Sequence, residues 1–244
     1  MLREVLIVFA IATAVGGLAF QLGRVVPFLG RHAADIIAVT FYALPVARLW
    51  HLKRDLADYG FNLDRPGRSL LLVVGTSLAV FPLFLVLFLL FYGAVCGPLR
   101  ESLAVVASPG GAICRSFRGV TGMHPVWPGG SFPAALMAFF TQLVAVAIPE
   151  EFFFRGYIQG RLSEALPPSH RFLRVPVGSA LLVTSVLFAL GHFLIDFDPR
   201  RLAVFFPALV FGWMREATGS IAPGALFHAL CNLVSDGLHR SFFG

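Results

Sequence analysis

Apolar positions along this chain gather into seven blocks, roughly 5–22, 33–50, 69–92, 132–148, 177–195, 202–214 and 221–238, separated by short polar stretches rich in Arg, Gly and Pro. A hydrocarbon layer of about 30 Å takes about 20 helical residues to cross, so the pattern predicts seven membrane helices, give or take one. The expected fold class is therefore all-α, a polytopic membrane protein. The fourth block ends at Pro149, but an amphipathic helical pattern persists through "EEFFFRGYIQGRLSEAL" up to "LPP". One helix is thus expected to run through the proline, which neighbouring helices or water can accommodate.

The links between blocks, 51–68 and 97–131, are too short and too rich in Gly and Pro to be domains. No internal repeat or low-complexity tract interrupts them. The whole chain, 1–244, reads as a single integral membrane domain, and its first block reads as an uncleaved helix because Glu4 offsets Arg3 and no small-residue cleavage site follows the apolar run.

Composition agrees. Of 244 residues 57% are hydrophobic and 13% charged, with 26 Phe, and the mean hydropathy is +0.81, far from an ordinary soluble domain. The net charge of +6 would suggest nucleic acid in a soluble protein. Here the Arg residues flank apolar runs, where they orient the chain and meet anionic lipid, so no nucleic-acid partner is expected. The cluster around Lys53 favours a cytoplasmic N-terminus. That orientation puts Cys96 and Cys114 outside the cytoplasm, where they can form a disulfide or stand as two unrelated small residues. With Cys231 they are the only cysteines, too few for a Cys-based zinc site.

The chemistry starts at "IPEEFFFRG", residues 148–156, which puts Glu150, Glu151 and Arg155 at membrane depth. Each ionised group facing lipid costs about 2.5–3.5 kcal/mol, so all three must face protein or water. Glu151 and Arg155, four apart, share a helix face and suit an ion pair. Glu150 points elsewhere and needs partners from other helices. The histidines within apolar blocks are His192 in "FALGH" and His228 in "HALCN", with Asn232 one turn after His228. A carboxylate can take a proton from water while imidazole and amide N–H groups hold the developing oxyanion, which points to hydrolysis. Each polar residue alone could be interhelical glue; all of them on three separate blocks point to a site, with Phe188 packing beside it.

The ordered set Glu-Glu-x-x-x-Arg, Phe-x-x-x-His and His-x-x-x-Asn resembles the CPBP family, the CAAX proteases and bacteriocin-processing intramembrane proteases, over about 132–238. The resemblance implies a bundle of about seven to eight transmembrane helices enclosing the active site of a glutamic-type endopeptidase. It gives Glu150 the role of general base and His192 that of holding the water. His228 and Asn232 become the oxyanion-stabilising pair, with Glu151, Arg155 and Phe188 in support. No cofactor is expected; a zinc ion on Glu150, His192 and His228 is the alternative. The implied partners are the lipid bilayer and a membrane-associated protein or peptide substrate processed at a C-terminal tail or precursor segment. A bacterial inner membrane is the expected location, with a myxosortase-like role among those open. The other readings are a non-proteolytic scaffold or bacteriocin-immunity protein of the same fold, and an ion-coupled transporter, for which the paired repeats are missing.

Overall fold

The computed structural model of the chain describes residues 1–97, 114, 116–119, 121–126 and 130–243. Most of the link expected over 97–131 lies outside the described residues. The described residues form seven helices, as the apolar blocks predict: α1 Leu2–Leu22, α2 Pro27–His51, α3 Pro66–Cys96, α4 Phe132–Ala165, α5 Ser179–Asp196, α6 Phe205–Thr218 and α7 Ala222–Phe242. By length and composition α1 to α5 can cross a membrane. The 14 residues of α6 reach only about 21 Å, and α7 is long enough but carries His228, Asn232, Asp236, His239 and Arg240. The polar residues that make the last helices chemically interesting thus also lower their apolarity.

Helix α4 passes through Pro149 as the sequence suggested. Two widened, π-helical stretches, Gln142–Ala147 and Phe152–Gln159, flank a short α-helical segment, Ile148–Glu151. A proline removes one backbone donor and crowds the carbonyl four residues earlier, and a widened turn relieves both problems without ending the helix. The acidic pair therefore rides on the segment between two irregularities, which sets where Glu150 and Glu151 point.

Contacts cluster in two compact units, the first comprising Met1–Val73 with Thr141–Ala229 and the second Val74–Phe140 with Leu230–Gly244. In the first, α1 packs on α2 and α5, and α5 on α6. Its core centres on Phe152, Phe153 and Phe154, all buried. Phe41 stacks on Phe153 at 4.6 Å, and Phe154 meets Phe188 edge-on at 4.9 Å. Consecutive phenylalanines in a helix point in different directions, so "FFF" serves three interfaces at once. A short antiparallel hairpin, β1 His170–Phe172 with β2 Val175–Val177, joins α4 to α5. A 3₁₀ turn, Pro199–Val204, joins α5 to α6, with the Arg200 N–H donating to the side chain of Asp198, whose carboxyl the Arg200 guanidinium holds below the usual carboxylate range.

Polar side chains tie one end of the first unit together. Glu4 of α1 accepts from Arg48 of α2 at 3.1 Å, from Arg161 of α4 at 3.2 Å and from the Tyr157 hydroxyl at 3.0 Å. Arg161 also reaches Glu164, which accepts from Tyr59 in the 3₁₀ turn Ala57–Tyr59. In the second unit Phe88, Tyr92, Phe117, Phe242 and Phe243 form an aromatic cluster. Cys96 and Cys114 are joined by a disulfide there, as their placement in the sequence allowed.

Candidate active site

Glu151 and Arg155 form the ion pair expected from their spacing, with Arg155 Nη1 donating to Glu151 Oε1 at 2.9 Å. Both side chains are cut off from solvent, at 0% and 1% exposure. Arg155 spends a second donor on the backbone carbonyl of Ala208 in α6, at 3.2 Å. Its guanidinium lies over the Phe188 ring at 4.2 Å and near the Phe211 ring at 5.1 Å, so its faces rest on aromatic surface where water would otherwise be required.

The same Glu151 oxygen accepts from His228 Nδ1 at 3.0 Å. A carboxylate only accepts, which fixes the proton on Nδ1 and turns Nε2 the other way. His192 is arranged alike by different means: its Nδ1 lies 2.9 Å from the Phe188 carbonyl oxygen, one turn earlier in α5, and must donate to it. Two imidazoles are thus anchored through Nδ1, leaving both Nε2 atoms for the site.

Both face Glu150. Its Oε2 lies 3.7 Å from His192 Nε2 and 3.8 Å from His228 Nε2. These separations are too long for direct hydrogen bonds and suited to a bridging molecule. Glu150 Oε2 is itself buried and has no hydrogen-bond partner among the described residues. A buried, unpaired carboxylate oxygen is costly, and such groups concentrate where chemistry needs them.

Six of the residues marked by the sequence therefore meet in the first unit: Glu150, Glu151, Arg155, Phe188, His192 and His228. Asn232 follows His228 by one turn of α7 and falls in the second unit. Phe188 does more than pack, since its ring lies 4.4 Å from that of His192 as well as under Arg155. Two residues had no signal in the sequence. Phe211 stacks on His228, and Gly224 lets α7 approach so closely that a Cβ there would stand 3.1 Å from Glu151 Oε2. Neither residue type carries chemistry by itself, so only the packing reveals them. Among the described residues no group of three or more His, Cys, Asp or Glu side chains has the geometry to hold a metal ion.

The centre is thus one carboxylate and two imidazoles, His228 buried and Glu150 and His192 partly so, within a helical membrane protein. Residues 132–234 match the sequence model of the family described as type II CAAX prenyl endopeptidase Rce1-like. Over that segment the chain is similar to this Rce1-like family. The match starts with α4 and ends six residues beyond His228, so it spans all three motifs. Searches of curated proteins and of solved structures return no match.

Proposed function

We propose that this protein is an intramembrane endopeptidase in which Glu150 activates water to cleave a peptide bond of a membrane-associated substrate. The observation carrying this reading is the unpaired, buried Oε2 of Glu150 facing two anchored Nε2 atoms. In it, water sits against Oε2 and the His192 Nε2 lone pair. Glu150 takes a proton as the hydroxide oxygen attacks the scissile carbonyl carbon, and the C=O electron pair moves onto oxygen. His228, in the form with a proton on both ring nitrogens, donates an Nε2–H hydrogen bond to that oxyanion; its positive charge is offset by Glu151 through Nδ1–H, and Arg155 offsets Glu151 in turn. Asn232 enters as the second donor on its motif spacing from His228. When the oxyanion collapses and the C–N bond breaks, Glu150 returns its proton to the leaving amine.

The substrate segment must be locally unwound, since a helix buries its carbonyl carbons from a nucleophile. The family description favours a C-terminal tail of CAAX type as substrate. The test is cleavage of a membrane-anchored fluorogenic peptide by purified protein. Glu150→Gln and His192→Ala should each lower kcat by at least about 10²-fold. Equal cleavage by the variants would overturn the reading. The reaction as drawn uses no metal, so activity should survive a strong zinc chelator; loss on chelation with rescue by zinc would overturn that part.

A further inference from the structure

We propose that Phe211, on α6, is a positioning residue for His228, fixing the plane of its ring so that Nε2 faces Glu150. The inference rests on the reading of Glu150, His192 and His228 as a water-activating centre and assigns a residue outside the three motifs to it. One hydrogen bond, from Nδ1 to Glu151, fixes a point on the imidazole but leaves the ring free to swing about that bond. Phe211 removes that freedom: its ring lies parallel to the imidazole within 13°, with centroids 4.8 Å apart. Phe188 closes the other approach edge-on at 5.9 Å. A point and a plane together determine where Nε2 lies.

Phe211 is in turn held from several directions. It is 1% exposed. Phe227 meets it edge-on at 5.9 Å, and its other flank carries the Arg155 guanidinium. The α6 backbone on either side is pinned to α4, because Ala208 accepts from Arg155 and Gly212 accepts from Gln159 at 3.1 Å. A Cβ at Gly212 would lie 2.7 Å from Gln159 Oε1 and push that amide aside, so the glycine leaves the bond in place. Helix α4 thereby sets the height of α6, and α6 sets the ring that aligns His228.

The test compares Phe211→Leu, which keeps an apolar side chain but loses the flat ring, with Phe211→Tyr, which keeps the ring. Leu should lower kcat roughly 10- to 100-fold with KM unchanged, and Tyr should restore most of it. A ring-¹⁵N NMR spectrum, with His228 assigned by its loss in His228→Gln, should show one Nδ1–H tautomer in wild type and Phe211→Tyr, and a tautomer mixture in Phe211→Leu. Wild-type kcat and a single tautomer in Phe211→Leu, beside an inactive Glu150→Gln, would overturn the positioning role while leaving the proposed function standing. Full activity of Glu150→Gln would instead overturn the proposed function, and the tautomer spectra would still decide for or against Phe211.

Discussion

Arg155 holds four roles at once: counter-ion to Glu151, donor to Ala208, and cation above Phe188 and beside Phe211. Lysine has neither the fork nor the flat face to reproduce them. Removing one partner of a buried pair leaves the other charge stranded, so Arg155→Ala should cost about 3–5 kcal/mol, read as a Tm drop of roughly 10 °C in detergent. An unchanged Tm would mean that the pair is solvated. The histidine anchoring gives a second expectation. An Asn amide nitrogen overlays Nδ1 and a Gln amide nitrogen overlays Nε2. His228→Asn can therefore keep the bond to Glu151, whereas His228→Gln cannot. Both should be inactive, and Asn should retain more of the wild-type Tm; the reverse order would contradict the assigned tautomer.

At the scale of elements, α4 decides most of the site, and its close approaches are where it is least tolerant. A Cβ at Gly156 would stand 2.9 Å from the backbone oxygen of Tyr59, which has no flexible end to move away. Gly156→Ala should therefore cost about 1–3 kcal/mol. The control is Gly75→Ala in α3, where nothing lies within 4 Å and the lost backbone freedom should make the change neutral or slightly stabilising. Equal melting temperatures for the two variants would show that α4 and the Ala57–Tyr59 turn do not pack as described. The continuation of α4 past Pro149 and the Glu151–Arg155 pair were legible in the sequence, because both follow from helical periodicity. The π-helical stretches were not, since a widened turn is a compromise between proline and packing that composition does not encode. Phe211 and Gly224 were hidden for a related reason: in a chain with 26 Phe and 24 Gly, no single one stands out until its neighbours are known.

For the whole molecule, seven apolar blocks became seven helices, and the sequence showed where each lies more clearly than which of them cross the membrane. The polar ties from Glu4 to Arg48 and Arg161 were invisible because they join separate helices, with Arg161 standing 157 positions from Glu4 along the chain. The disulfide makes a further expectation: without reductant only Cys231 should react with an alkylating reagent, and reduction should expose two more thiols. Three reactive thiols before reduction would rule the bridge out.

The 34 residues of α4 have a consequence for how water reaches the reaction. At about 1.5 Å per residue the helix is about 50 Å long, well beyond a hydrocarbon layer of about 30 Å. Its charged end, where Arg161 and Glu164 meet Glu4, belongs at the membrane surface. Glu150 lies 11 residues earlier, and so roughly 16 Å beneath that surface. In the proposed reaction every turnover consumes one water, and each must descend that distance to reach Glu150. Thinner bilayers shorten the path, so turnover in membranes of short-chain lipid should exceed that in long-chain lipid, a dependence on acyl length that a site at the surface would not show.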